Sequence, residues 1–225
     1  MIRAVLLDVL GTLVELLPPA PRLRRELAAR GIDVSLEQAG AAFGAEISYY
    51  LAHHMEGSTR AGLEDLRDRC AAETRRALDL GEERQADVRA AMLGALEFGA
   101  YPDAVPALES LRAAGLRRVA ASNWDCSLPD GLAMAGLGGL LDGAVSSAVA
   151  GAAKPDPAVF LAALELAGCE PGEALFAGDS LENDVEGALA CGMQAALVLR
   201  EGDPPPGVRV VRSLTELPAL AASLT

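Results

Sequence analysis

The chain has 225 residues, a formal net charge of -13, 51% hydrophobic residues and 4% aromatics. That length holds one α/β domain with a smaller insert rather than several large domains, and an apolar content carried by Ala, Leu and Val excludes a disordered chain. The acidic surplus excludes non-specific nucleic-acid binding, which needs positive surface to displace phosphate counterions, yet leaves room for a local site that takes a small phosphorylated molecule.

Ile2 to Leu7 is a nearly continuous apolar run, the pattern of a buried parallel strand, and it ends in Asp8-Val9-Leu10-Gly11-Thr12. From Glu15 to Leu96 the rhythm is helical throughout, around Arg22 to Arg30, Leu36 to His54, Arg60 to Leu80 and Glu82 to Leu96, with no strand between. Pro18-Pro19 on one side and Gly99-Ala100-Tyr101-Pro102 on the other read as hinges. The spacing therefore predicts an all-helical insert over residues 15–98 within a core made of 1–14 and 99–225. Strands are then predicted at Arg118 to Ser122, Ala144 to Val149, Ala174 to Gly178, Ala195 to Leu199 and Val208 to Val211. Helices fall at Pro102 to Ala114, Leu128 to Ala135, Pro157 to Ala167 and Asn183 to Cys191. Strand alternating with helix predicts an α/β fold, a Rossmann-like open parallel sheet with helices on both faces.

Cys70, Cys126, Cys169 and Cys191 lie far apart without metal-type spacing, and Met1 to Asp8 lacks the layout of a signal peptide, so a reducing cytoplasm is expected. No apolar run reaches membrane-spanning length uninterrupted, so no membrane partner is expected.

Ligands of open α/β sheets bind outside the carboxyl ends of the strands. The polar residues there are Asp8, Ser122-Asn123, Lys154, and Asp179 with Asp184 close behind. Three carboxylates converging on one ammonium call for a divalent cation to keep them ionised, and an oxygen donor set favours Mg²⁺. Lys154 is the only lysine among 19 Lys+Arg residues. A composition that otherwise uses arginine has kept one compact point charge, which favours a site role over a solvated surface position. Asp179 also fits a plain helix N-cap, Ser122-Asn123 a plain turn and Trp124-Asp125 packing and capping. His53 and His54, beside Tyr49 and Tyr50, read first as a half-buried helix and second as an acid/base pair.

Taken in order, Asp8-Val9-Leu10-Gly11-Thr12-Leu13, Ser122-Asn123, Lys154-Pro155-Asp156-Pro157 and Gly178-Asp179-Ser180-Leu181-Glu182-Asn183-Asp184 resemble the four motifs of the haloacid dehalogenase superfamily. The insert lies where members carry a helical cap. The resemblance implies a hydrolase acting on a small, phosphorylated molecule, as a monomer or homodimer. Asp8 would be the nucleophile, Lys154 would neutralise charge on it, and Ser122 and Asn123 would contact the transferring group. Asp8, Asp179, Asp184 and the backbone carbonyl of Leu10 would hold Mg²⁺. One position departs: phosphatases of the superfamily carry a second Asp where this chain has Leu10. Dehalogenases also lack that Asp, because halide leaves without a proton, but they work without metal and lack the Gly178-Asp179 signature. A Mg²⁺-dependent phosphatase narrowed by the loss of its acid/base Asp is the first reading. A 2-haloacid dehalogenase and a non-catalytic phospholigand-binding homologue are the alternatives.

Overall fold

A computed structural model describes residues 1–224, and the chain divides into two compact units, Met1–Glu15 with the chain from Gly99 onward, and Leu16–Phe98. In chain order the strands are β1 (Ala4–Leu7), β2 (Val14–Leu16), β3 (Phe98–Ala100), β4 (Arg117–Ser122), β5 (Gly143–Ser146), β6 (Ala174–Gly178), β7 (Gln194–Val198) and β8 (Val210–Val211). The helices are α1 (Pro19–Ala28), α2 (Leu36–His53), α3 (Arg60–Ala77), α4 (Gln85–Ala95), α5 (Ala104–Ala113), α6 (Leu128–Met134), α7 (Ser147–Ala150), α8 (Pro157–Ala167), α9 (Gly187–Ala190) and α10 (Leu217–Ser223).

Six strands form one parallel sheet in the order β5-β4-β1-β6-β7-β8. Every residue of β1 and β6 is buried, which is why both read as unbroken apolar runs rather than alternating ones. Ala4, Leu6, Val119 and Phe176 point to one face and pack with Val159, Phe160 and Ala163 of α8 and Ala188 of α9. Phe160 meets Phe176 edge to face at 5.1 Å between centroids. On the other face α5 packs against β4 and α10, burying Leu108, Leu111 and Leu217 completely. The sheet covered on both faces is the architecture that the alternation of elements predicts.

Three local features differ from the sequence reading. The short strands β2 and β3 pair with each other, and three residues each are too few to leave a period-two signature. The strand expected to reach Val149 stops at Ser146, and α7 begins at Ser147. There Ser147 Oγ donates to the Trp124 carbonyl at 3.2 Å and accepts from the Trp124 amide at 3.1 Å, a side-chain bond that competes with continued strand. Finally, the helix expected over Asn183 to Cys191 is a π-helical turn, Leu181–Glu186, followed by the short α9.

The second unit is the bundle α1 to α4. Ser35 and Gln38 cap α2 reciprocally, and Leu23, Leu27, Phe43, Val88 and Ala91 form its main core. No helix among the described residues is long and apolar enough to cross a membrane. One polar residue breaks the bundle's apolar interior: Glu46 of α2 is 4% exposed, its Oε2 has no partner, and the Cys70 thiol of α3 hydrogen-bonds the carboxylate. Burial pushes the Glu46 carboxyl from 4.5 up to about 7 and the Cys70 thiol to about 12. An acid raised on folding contributes stability fully below pH 4.5, and that contribution is lost as pH rises through about 7. Glu46→Gln should therefore match wild type near pH 4 and exceed it at pH 8 by roughly 3 kcal/mol, the linkage value of such a shift. Thermal melts of both proteins across pH 4–8 check this, and a constant difference between them would contradict it.

Candidate active site

Strand order reverses about β1, with β4 on one side and β6 on the other, and such a switch point opens a crevice beyond the carboxyl ends of the strands. Leu7 is in register with Ala120 of β4 and with Ala177 of β6. Asp8 after β1, Ser122 at the end of β4 and Asp179 after β6 therefore emerge at the same edge. Lys154 comes from the loop before α8, and Asp184 from the π-helical turn.

These side chains meet. Asp8 Oδ1 accepts from Ser122 Oγ at 2.9 Å and from Lys154 Nζ at 2.6 Å. Lys154 Nζ also donates to Asp184 Oδ1 at 2.6 Å and to the Ala121 carbonyl at 3.0 Å. An ammonium has three N–H donors, and all are used, so its position is over-determined. Among the described residues no hydrogen bond reaches Asp8 Oδ2. Carboxylate oxygens of Asp8, Asp179 and Asp184 lie within 4.8 Å of one another.

Asp8, Lys154 and Asp184 are each 5% exposed or less. Burial alone would lower the Lys154 pKa, but the charges of Asp8 and Asp184 outweigh it and hold the ammonium charged well beyond neutral pH. Asp184 is raised, first by burial and then by Asp8, against the pull of Lys154. Asp179 opens to solvent, yet the atoms packed around its carboxylate desolvate it, and Asp8 and Asp184 add repulsion, which together push it to about 6. Three carboxylates against one ammonium leave two negative charges uncompensated. A divalent cation complements that deficit, and a donor set of oxygens alone fits Mg²⁺.

Two glycines let the carboxylates approach. Gly11 has φ +87, and a Cβ there would stand 2.2 Å from Asp179 Oδ2. A Cβ on Gly178 would stand 2.3 Å from Asp184 Oδ2. Neither separation is physical, so any side chain at these positions would displace a carboxylate.

The remaining positions divide. Asn123 spends its side chain on the backbone of Lys154, its Oδ1 accepting from the Lys154 amide at 2.7 Å and its Nδ2 donating to the Lys154 carbonyl at 3.1 Å. The cap of the turn after β6 is Ser180, whose side chain accepts from the Asn183 amide, so Asp179 is not spent on that duty. Asp125 is buried and accepts from the Ser127 amide at 2.6 Å, a local turn bond. Leu10 is 41% exposed and carries no titratable group. His53 stacks on Tyr49 at 4.0 Å and its Nδ1 lies 2.8 Å from the Tyr49 carbonyl, within the helical unit. Sequence reasoning missed the Ala121 carbonyl and the Asn123 clamp, because backbone acceptors and amide partners leave no composition signal.

A family model described as a haloacid dehalogenase-like hydrolase matches residues 2–192. Phosphatase MT3486 of Mycobacterium tuberculosis is 42% identical over 122 residues, which is 53% of this chain and 55% of that protein. The (S)-2-haloacid dehalogenase 4A of Burkholderia cepacia is 35% identical over 136 residues, 57% of this chain and 58% of that protein. The chain thus spans somewhat over half the length of these two relatives. The solved L-2-haloacid dehalogenase from Xanthobacter autotrophicus superposes with a TM-score of 0.72 at 25% identity, covering 100% of both chains.

Proposed function

Because the chain belongs to the haloacid dehalogenase-like hydrolases, we propose that it is a Mg²⁺-dependent phosphatase acting on small phosphorylated molecules whose leaving group departs without help from an acid. The observation that carries this reading is the convergence of Asp8, Asp179 and Asp184 within 4.8 Å around a single lysine. A halide-displacing site needs one nucleophilic carboxylate, not three held at such electrostatic cost.

In the proposed reaction Asp8 Oδ1 is held by Ser122 and Lys154, leaving Oδ2 to attack phosphorus. The bond from phosphorus to the leaving oxygen breaks as an acyl phosphate forms on Asp8. Water then attacks that phosphorus, releasing inorganic phosphate and restoring the carboxylate. Lys154 neutralises charge on Asp8 and the transferring group, Asn123 fixes the Lys154 backbone, and the Asn123 backbone N–H would donate to the phosphoryl oxygens. Asp8, Asp179, Asp184 and the Leu10 carbonyl would hold Mg²⁺, which when bound supplies electrostatic stabilisation of the phosphoryl oxygens. By the family resemblance the helical unit of residues 16–98 is read as the cap, the element that would select substrate.

Leu10 sets the limit on substrate. Without an acid at that position an alkoxide must leave unprotonated, a handicap of about 10²–10⁴-fold. Acyl phosphates and anhydrides escape it. Phosphate release should therefore be Mg²⁺-stimulated and should fall steeply as the leaving group becomes more basic across a panel from acyl phosphates to alkyl esters. Leu10 also favours a second reading, a 2-haloacid dehalogenase. Halide release in the presence of a chelator, with no phosphate released from any panel member, would replace the first reading with the second.

A further inference from the structure

We infer that Arg200 is a positioning residue for the turn that carries the Leu10 carbonyl and Gly11. It follows β7 at the same edge of the sheet as Asp8, and lies beyond residue 192, where the family match ends. Its guanidinium Nη1 pairs with Asp103 Oδ2 at 2.7 Å, its Nη2 donates to the Thr12 carbonyl at 2.9 Å, and its Cζ lies 4.0 Å from the Tyr101 ring centroid. The Tyr101 amide donates to the Leu13 carbonyl at 3.0 Å. Arg200 and the residue it stacks on therefore hold two consecutive carbonyls of the turn that follows the proposed nucleophile.

Within the turn the Gly11 amide donates to the Val14 carbonyl at 2.8 Å, and the Val9 carbonyl gathers the remaining amides. The Thr12, Leu13 and Val14 amides all donate to the Val9 carbonyl, at 3.3, 2.8 and 2.8 Å. Arg200 holds the Thr12 carbonyl from outside the turn. Arg200 is itself braced, because Asp103 Oδ2 also accepts from the Leu214 amide at 2.9 Å and from Ser213 Oγ at 3.1 Å. Burial works against the Asp103 charge, but Arg200 and the Leu214 amide outweigh it and keep the carboxyl below its ordinary range.

Packing alone does not account for this cluster. Thr12 Oγ1, Asp103 Oδ1 and Arg200 Nε are all buried without a hydrogen-bond partner. Unpartnered buried polar atoms are destabilising, and an apolar cluster would pack there more favourably. What a guanidinium adds is a planar fork that fixes two acceptors in one geometry. The fork sits where a shift of the turn would move Gly11 against Asp179, whose Oδ2 stands 2.2 Å from where a Cβ on Gly11 would lie.

The activity arm of the test rests on the phosphatase reading, and the exchange arm does not. Hydrogen exchange of the amides between residues 9 and 14, and kcat and KM for acetyl phosphate with Mg²⁺, are measured for wild type, Arg200→Met, Arg200→Lys and Asp103→Asn. We expect Arg200→Met to speed exchange of the Gly11 to Val14 amides at least about tenfold, leave exchange of β4 and β6 unchanged, and lower kcat by about 10–100-fold at nearly constant KM, the cost of a misplaced reacting group. Arg200→Lys, which keeps the charge and loses the fork, should lie nearer to Arg200→Met than to wild type, and Asp103→Asn should show a weaker form of the same pattern. Wild-type exchange in this turn in folded Arg200→Lys and Asp103→Asn proteins would overturn the inference, as would accelerated exchange spread evenly over the sheet. If wild type turns over no phosphorylated substrate, the phosphatase reading fails while the exchange result still decides the role of Arg200.

Discussion

Lys154→Met should lower phosphate release by at least about 10²-fold, the range seen when one preorganised electrostatic stabiliser is removed, and should destabilise the protein in a strongly pH-dependent way. The ammonium lies 2.6 Å from both Asp8 and Asp184, with all three side chains almost fully buried. Removing one member of a buried ion pair leaves the other charge uncompensated, at a cost of about 3–5 kcal/mol. Here two carboxylates are left facing each other and a third, Asp179. Asp184 and Asp179 are already raised on folding, by burial first and repulsion second, and Lys154 is the group that opposes both. Its loss raises them further. A folded-state carboxyl raised above its unfolded value stabilises below the unfolded pKa and loses that contribution as pH rises through the folded one. The variant should therefore approach wild type near pH 4 and fall well below it at pH 8 when melts are run in chelator. Replacing the chelator with Mg²⁺ should recover part of the deficit at pH 8, by mass action of a ligand that binds the folded state. A pH-independent deficit, unaffected by Mg²⁺, would contradict the electrostatic account of the cluster.

Much of this cluster could be read from the chain because each member announces itself in one dimension. Asp8 and Asp179 each terminate an unbroken apolar run, and a buried parallel strand gives such a run no other purpose. Lys154 stands out as one lysine among arginines. What the chain conceals is pairing between distant residues. Arg200 is one of many arginines, and its partners Asp103 and Thr12 lie 97 and 188 positions away. The role of Asn123 is hidden similarly, since the backbone it grips is 31 residues on. Position 147 illustrates a different loss: a serine within an apolar run looks like strand until its hydroxyl finds the Trp124 backbone and turns the chain into α7. The strands β2 and β3 escape because three residues do not establish a period.

Leu10→Asp should raise the hydrolysis of alkyl phosphate esters by about 10²–10⁴-fold, equivalent to roughly 3–5 kcal/mol of barrier. Leu10 is 41% exposed, so a carboxyl at this position keeps contact with water and should leave folding intact. Its neighbours in sequence already shape the turn, with Gly11 N donating to the Val14 carbonyl at 2.8 Å and Leu10 bridged to Val14. A proton donor introduced here acts on the leaving oxygen, so the gain should follow leaving-group basicity: large for alkyl esters, small for acyl phosphates, whose leaving group needs no proton. Rates for both substrate classes in both proteins, at saturating Mg²⁺, measure that contrast directly. The same substitution separates the three readings of the site. A phosphatase narrowed by Leu10 gains on esters and keeps its acyl phosphate activity, whereas a ligand-binding homologue gains turnover from a parent that has none. A dehalogenase gains nothing in halide release, because halide departs as the stable anion. An equal gain on esters and acyl phosphates would mean that the new carboxylate acts on the attacking water rather than on the leaving group, and the substrate limit assigned to Leu10 would then be wrong.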